Sequence, residues 1–191
     1  NTKLKLLENK FQTPKYLKIE NNSEIKFIEK NFSYPFVVKP SSEGSSIGVF
    51  IVENKNEFYL AVEENKKISK DFIVEQYING EEYTVGIINN LALPSIKLKP
   101  PGKFYDYNAK YHSSKMQYIC PSGLEKEKEE KIKKISMNCF NILGCHGWGR
   151  VDLILDRENN PWIIEINTVP GMTEHSLLPM AAIEFGISFD E

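Results

Sequence analysis

The chain has 191 residues and a formal net charge of −2, with 41% hydrophobic and 26% charged residues, which is the composition of an ordinary globular protein. This small charge gives no electrostatic argument for nucleic acid or an anionic membrane as a partner. No apolar stretch approaches the roughly 20 residues that span a bilayer. The three cysteines form no Cys-x-x-Cys pair, so neither a disulfide framework nor a zinc site is indicated. We expect a cytoplasmic protein with reduced thiols.

Apolar spacing and turn residues predict an alternation of helices and hairpins that is typical of the α+β class. Gly80 interrupts the pattern, so we predict two α+β lobes with largely antiparallel sheets, at residues 1–78 and 79–191. The segment 100–115 is a long loop, which indicates function or mobility. Predicted helices cover 2–11, 54–67, 125–143 and a last one from about 177, and predicted strands cover 35–39, 47–52, 71–78, 82–88, 91–98, 148–155 and 162–167.

The last two predicted strands place polar residues opposite one another. If the strands pair antiparallel with Leu155 opposite Trp162, their apolar residues share one face, and the hydrophobic pattern sets the register. The other face then carries Asp152 opposite Glu165 and Arg150 opposite Asn167. Facing carboxylates repel each other unless something compensates, and hard oxygen ligands suit Mg²⁺. The hairpin alone is equally compatible with a metal site and with a polar surface that carries ordinary ion pairs.

A Ser- and Gly-rich run at residues 41–48 connects two predicted strands. A Walker A loop opens a helix, so this run is not one. A turn of this composition can fold over phosphates with its backbone N–H groups, although most such runs only turn the chain. Lys39 ends the strand before the run, where it is either a phosphate ligand or a solvated lysine.

Two further segments offer groups to a nucleotide. Glu75 and Tyr77 end one predicted strand and Glu82 begins the next, an arrangement that can present main-chain groups to adenine and a carboxylate to ribose, although a surface carboxylate is the commoner case. Lys110 and Tyr111 lie in the long loop, which is either a lid over the γ-phosphate or merely exposed. The three histidines have no ligand spacing, and none is assigned a catalytic role.

Five stretches, in the same order along the chain, carry a resemblance to a known family. They are residues 36–48 (FVVKPSSEGSSIG), 104–111 (FYDYNAKY), 120–124 (CPSGL), 147–152 (GWGRVD) and 165–177 (EINTVPGMTEHSL). With these stretches the sequence resembles the D-alanine–D-alanine ligases of the ATP-grasp superfamily over nearly its whole length. The combination is far more specific than any single stretch.

The resemblance implies the ATP-grasp fold, with ATP held between two lobes, and the ATP-dependent ligation of two D-alanines through an acyl phosphate for peptidoglycan precursors. It also implies two Mg²⁺ or Mn²⁺ ions, and it is compatible with a homodimer of the full-length enzyme, although the sequence does not determine the oligomeric state. Tyr111 is replaced in relatives that make depsipeptides, so its presence favours dipeptide synthesis. The implied site residues are Lys39, Lys110, Glu75, Tyr77 and Glu82 for ATP; Asp152, Glu165 and Asn167 for the metal ions; Arg150 and the backbone of Gly171 for the tetrahedral intermediate; Ser176 and Leu177 for the carboxylate of the second D-alanine; and Ser45 and Tyr111 for ordering the lid.

The family also has an N-terminal domain that helps to bind the first D-alanine, and we expect that domain to lie upstream of Asn1. The chain alone is therefore expected to be inactive. Two other interpretations stay open from the sequence: an ATP-grasp carboxylate–amine ligase that acts on another amino acid, and a module that binds Mg-nucleotide without turnover. Residues 173–177 favour the D-alanine ligase over the first of these, because they resemble its carboxylate site.

Overall fold

The computed structural model describes residues 2–19, 23–41, 47–69, 71–100 and 116–190. Helices are α1 (Thr2–Glu8), α2 (Ser23–Asn31), α3 (Lys55–Ile68), α4 (Lys126–Ile142) and α5 (Leu177–Phe185). Strands are β1 (Tyr16–Ile19), β2 (Phe36–Pro40), β3 (Phe50–Val52), β4 (Phe72–Gln76), β5 (Gly80–Ile88), β6 (Leu91–Ala92), β7 (Ile96–Lys99), β8 (Gln117–Ile119), β9 (Trp148–Asp156) and β10 (Pro161–Asn167).

The described residues divide into two compact units, and each contains its own antiparallel sheet. One unit is built from residues between 14 and 78, and the other from residues 2–13, 79–100 and 116–190. The sequence analysis grouped the first 13 residues with the lobe that ends at residue 78. They belong instead to the other unit, where the backbone N–H of Ile163 donates to the carbonyl of Gln12 at 2.8 Å.

The smaller unit is a four-stranded sheet with the order β1-β4-β2-β3. Alternate residues of β2 point to opposite faces: Phe36 and Val38 are fully buried, whereas Val37 and Lys39 are half-buried. Residues of α2 and α3 pack with Phe36 and Val38 in a single apolar cluster. Both helices therefore cover one face of this sheet, and Lys39 lies on the other face.

The larger unit is a six-stranded sheet with the order β10-β9-β5-β7-β8, and β6 extends the pairing of β5. One face packs against α4, because Val85 and Ile87 of β5 share an apolar cluster with Phe140. The other face is partly covered by α5: a Cβ atom at Gly86 would lie 2.6 Å from Leu178 Cδ1. Helices thus lie on both faces, and the part of the second face that α5 leaves open carries polar residues.

The hairpin predicted at residues 82–98 forms with one irregularity. Asn89 and Asn90 have φ angles of 47° and 64°, the left-handed conformation that a tight two-residue turn requires. The returning strand is divided into β6 and β7 because Pro94, which has no N–H to donate, lies between them. Gly80 does not interrupt the structure but begins β5, where a Cβ atom would lie 2.0 Å from the carbonyl oxygen of Leu155.

Within the described ranges, no helix has both the length and the apolar character needed to cross a membrane.

Candidate active site

The candidate site is built from two neighbouring rows of residues that run across β5, β9 and β10. In the first row, Thr84 pairs with Asp152, which pairs with Glu165. In the second row, Gly86, Arg150 and Asn167 are paired in the same way. The predicted pairings of Asp152 with Glu165 and of Arg150 with Asn167 are therefore correct.

The two carboxylates lie on the same face of the sheet. The side-chain amide nitrogen of Asn167 is 3.0 Å from Asp152 Oδ2 and 3.3 Å from Glu165 Oε1. A single nitrogen atom cannot reach carboxylates on opposite faces of a sheet, so both point towards the same small region. Arg150 is on this face too, since its guanidinium reaches Asp152.

At the turn end of the hairpin the predicted register is wrong by one residue. Leu155 pairs with Pro161 and Leu153 with Ile163, and a β-bulge at Ile164 separates these pairs from the pair Glu165–Asp152. The extra residue keeps Ile163 fully buried in the core. It also moves Glu165 to the polar face, because without the bulge the residue after next would again face the core.

Asp152 is a buried carboxylate that accepts a hydrogen bond on every side. Arg150 donates from Nε to Oδ1 and from Nη2 to Oδ2, both at 2.8 Å. Thr84 donates to Oδ1 at 2.6 Å, and Asn167 donates to Oδ2 at 3.0 Å. A carboxylate has about four lone-pair positions, so these donors occupy them all.

The acidic side chains around Arg150 keep it charged. Burial alone lowers the pKa of the guanidinium, but the hydrogen bonds to Asp152 and the negative charges of Asp152, Glu165 and Glu82 outweigh this effect and raise the pKa. Glu82 lies on the same face, since it is two residues before Thr84 on β5. The site thus has one fixed positive charge among three carboxylates, an excess of negative charge that favours cation binding.

The side chains of this face suit a hard divalent cation. Asp152, Glu165 and Asn167 offer carboxylate and amide oxygens, the ligand type that Mg²⁺ and Mn²⁺ prefer. Across the described residues, no group of three His, Cys, Asp or Glu side chains lies close enough together to hold a metal ion. A cation here would accordingly use the amide oxygen of Asn167 as its third protein ligand, after rotation of an amide whose nitrogen now faces the carboxylates.

In the four-stranded unit, Lys39 and Glu75 form an ion pair. Lys39 Nζ lies 2.8 Å from Glu75 Oε2, and the exposed fractions of the two side chains are 17% and 4%. They reach each other because β2 and β4 pair with Lys39 opposite Ile73, two residues from Glu75 on the same face. Tyr77 follows directly after β4 and is half-buried. The carboxylate of Glu75 therefore faces a lysine on the same face of this sheet.

The loop between β10 and α5 folds around Ser176. The hydroxyl oxygen of Ser176 accepts from the backbone N–H of Thr173 at 3.0 Å and lies 2.9 Å from the Thr173 hydroxyl. A Cβ atom at Gly171 would come within 2.9 Å of Ser176 Oγ, so a side chain there would displace the Ser176 hydroxyl. Leu177, the first residue of α5, packs with the apolar cluster on the α5 face.

Three predicted site residues, Ser45, Lys110 and Tyr111, lie outside the described residues. Conversely, the sequence analysis did not single out Thr84. Threonine is common in strands and turns for reasons unrelated to function. The only signal that could have identified Thr84 is its position, since pairing β5 beside β9 places it opposite Asp152.

Comparison with known proteins shows the family of the chain that carries this site. The family model described as "D-ala D-ala ligase C-terminus" matches residues 4–191. The chain belongs to this family. D-alanine–D-alanine ligase B from Chromobacterium violaceum is 44% identical to this member over 178 residues, which are 93% of the chain and 59% of that ligase.

Solved structures of such ligases have the same fold as this family member. The VanG D-Ala:D-Ser ligase from Enterococcus faecalis matches with a TM-score of 0.89 and 29% identity, over 98% of this chain and 56% of that one. The D-alanine–D-alanine ligase from Bacillus anthracis complexed with ATP matches with a TM-score of 0.82 and 33% identity, over 98% and 61% of the two chains. The chain therefore has the α+β architecture of the ATP-grasp ligases, and it spans between half and two thirds of the length of these relatives.

Proposed function

We propose that the protein ligates two D-alanines to D-alanyl-D-alanine with ATP, through an acyl phosphate, in the synthesis of peptidoglycan precursors. The observation that carries the proposal is the convergence of Arg150, Asp152, Glu165 and Asn167 on one face, in a chain 44% identical to a D-alanine–D-alanine ligase. Because the reaction consumes ATP, we place it in the cytoplasm as part of the same proposal.

In the first step a carboxylate oxygen of one D-alanine bonds to the γ-phosphorus of ATP, and the bond to the bridging oxygen breaks, which gives the acyl phosphate and ADP. Phosphoryl transfer depends mainly on positioning and on charge neutralisation. Lys39 is the described lysine that we assign to the phosphates, and Glu75, Tyr77 and Glu82 are assigned to adenine and ribose. Asp152, Glu165 and Asn167 would hold two Mg²⁺ or Mn²⁺ ions, which neutralise charge on the phosphate oxygens when bound.

In the second step the amine of the other D-alanine attacks the acyl carbon. A carbon–nitrogen bond forms, the nitrogen loses a proton, and inorganic phosphate leaves. Arg150 and the backbone N–H of Gly171 stabilise the negative oxygen of the tetrahedral intermediate. Ser176 and the first turn of α5, including Leu177, bind the carboxylate of the attacking D-alanine, because the N-terminus of a helix favours an anion.

A phosphate-release assay on the full-length protein tests this proposal. We expect release from ATP to depend on D-alanine, and the variants Asp152→Ala and Glu165→Ala to lower kcat by at least about 100-fold, because the phosphate charge is no longer neutralised. Glu158→Ala, which removes an exposed carboxylate from the turn of the same hairpin, is the control and should leave kcat within about twofold. Equal stimulation of phosphate release by L-alanine would contradict the assignment.

A second candidate differs only in the acceptor. The VanG D-Ala:D-Ser ligase has the same fold over 98% of this chain, so D-serine is the second acceptor to test. The same assay with D-serine as the second amino acid separates the two candidates: the preferred substrate pair is the one with the larger kcat/KM.

A further inference from the structure

We propose that Thr84 is a positioning residue that holds Asp152 Oδ1, so that Oδ2 is the oxygen that meets a divalent cation. This inference rests on the proposed function, because it concerns the same metal site. The sequence and the family resemblance placed the metal ligands on β9 and β10. Thr84 adds a residue from a third strand, β5, to the metal site.

The geometry of the contact favours a fixed partnership. Thr84 pairs directly with Asp152 across the sheet, and its hydroxyl lies 2.6 Å from Oδ1 but 3.4 Å from the carbonyl oxygen of Val151. A hydroxyl has a single proton to donate, and a distance of about 2.5–2.7 Å is typical of a hydrogen bond to a charged carboxylate. The proton is therefore directed at Asp152.

Burial makes the contact hard to exchange. Thr84 is only 1% exposed, so water is not an alternative partner, and its branched side chain has restricted χ1 freedom. Asn167, which donates to Oδ2 and not to Oδ1 of Asp152, is freer because it is only half-buried. When a cation approaches, Asn167 can rotate its amide away from Oδ2, whereas Thr84 stays on Oδ1.

The position of Oδ2 agrees with this division of roles. The Asn167 amide nitrogen lies between Oδ2 of Asp152 and Oε1 of Glu165, which are the oxygens that would have to share an ion. A carboxylate that is fixed through one oxygen presents the other in a defined direction, and residues that orient metal ligands in this way change metal affinity about 10- to 100-fold when they are removed.

The test measures Mn²⁺ binding to the full-length protein in the presence of a non-hydrolysable ATP analogue. Electron paramagnetic resonance reports the bound and free Mn²⁺. Thr84→Val keeps the shape of the side chain and removes the donor, and Thr84→Ser keeps the donor. We expect Val to weaken Mn²⁺ binding about 10-fold, and Ser to stay within about threefold of wild type. Ser136→Ala is the matched control, since it removes another buried hydroxyl from the same unit, on α4 away from the site.

Coupling to Asp152 separates positioning from a purely structural role. In an Asp152→Asn background, Thr84→Val should change Mn²⁺ binding by less than about twofold, because the group through which Thr84 acts has been altered. An undiminished effect in that background, or a Val variant that binds Mn²⁺ as wild type does, overturns the role of Thr84 while leaving the proposed function intact. Failure of the wild-type protein to bind Mn²⁺ overturns both.

Folding is monitored in parallel by circular dichroism, and Thr84→Ala serves as a smaller second variant. If either variant without the hydroxyl is folded, its Mn²⁺ affinity decides the question. If both are unfolded while Thr84→Ser folds and binds, the hydroxyl acts in folding, and its assignment as a positioning residue is overturned.

Discussion

At the scale of single residues, Asp152 determines the properties of the site. A carboxylate with a side chain only 10% exposed is stable in its charged form when its oxygens are hydrogen-bonded and a counter-charge is near. Arg150 supplies that charge from two residues earlier on the same strand, which places it on the same face. The bidentate contact fixes both side chains, so the ligand that we assign to the cation and the group that we assign to the oxyanion are held together.

We predict that Arg150→Ala lowers the free energy of unfolding by about 3 kcal/mol, because it leaves the charge of Asp152 buried without its partner. The double variant Arg150→Ala/Asp152→Ala should lose clearly less than the sum of the two single variants. Urea denaturation followed by tryptophan fluorescence measures these differences. Arg157→Ala is the control, since Arg157 is an exposed arginine in the turn of the same hairpin. An Arg150→Ala variant as stable as this control would contradict the prediction.

At the scale of elements, the β9–β10 hairpin shows what the sequence could and could not predict. The pairing at the functional end followed from its pattern, since Val151 and Ile166 alternate with polar neighbours and only one register buries both. The bulge at Ile164 was not predictable in this way. Trp162, Ile163 and Ile164 are consecutive apolar residues, and such a run has no alternation by which to choose between two registers.

Short elements were missed for a related reason. The sequence analysis identified neither β1 nor β8, and all three residues of β8 are exposed, so no apolar pattern marks that strand. It also missed α2, a helix of only nine residues in which Ile25 and Ile28 are buried. The longer helices α3 and α4 were predicted because each buries residues at helical spacing.

Asp156 closes the same hairpin, and we predict that it makes hairpin stability depend on pH. Its carboxylate accepts from the indole of Trp162 at 2.9 Å and from the backbone N–H of Asn160 at 2.8 Å. The hydrogen bond from Trp162, with smaller contributions from Asn160 and Glu158, lowers the pKa of Asp156 below its ordinary value of 3.8. The charged form is therefore favoured by folding, and its contribution is complete above the unfolded pKa and is lost as the pH falls through the folded pKa.

Urea denaturation at a series of pH values between 7 and 3 checks this prediction, with Trp162 as the fluorescent reporter. Asp156→Asn should be less stable than the unmodified protein at pH 7, and the difference should shrink as the pH falls below the ordinary pKa of an aspartate. Glu158→Gln, in the same turn, is the control and should show no such convergence. A difference for Asp156→Asn that stays constant over the whole range would show that the hydrogen bonds do not depend on its charge.

At the scale of the whole molecule, the sequence predicted the class of fold but not which residues build each unit. The division near residue 78 lies where the sequence analysis placed a boundary, whereas residues 2–13 were grouped with the wrong sheet. Their position depends on a contact across some 150 residues, between Gln12 and Ile163, and local propensity carries no information about such a pairing. The polar face was predicted better, because its residues come from adjacent strands of one hairpin.

The length of the chain leads to the last prediction. The match to the Chromobacterium ligase covers 178 of the 191 residues and 59% of that ligase. The resemblance assigns part of the site for the first D-alanine to an N-terminal domain of the family. We therefore expect these residues alone to bind Mg-ATP weakly and to form no dipeptide. The nucleotide contacts that we assign are within the chain, but the attacking carboxylate would not be held in place, and positioning is the larger part of this catalysis.

Equilibrium dialysis with labelled ATP measures the binding, and amino-acid analysis of a reaction with D-alanine measures the product. Asp152→Ala in the same 191 residues should weaken the Mg²⁺-dependent part of ATP binding, which ties any retained affinity to the carboxylate face. Dipeptide formed by the isolated chain would show that its own residues suffice to hold both amino acids.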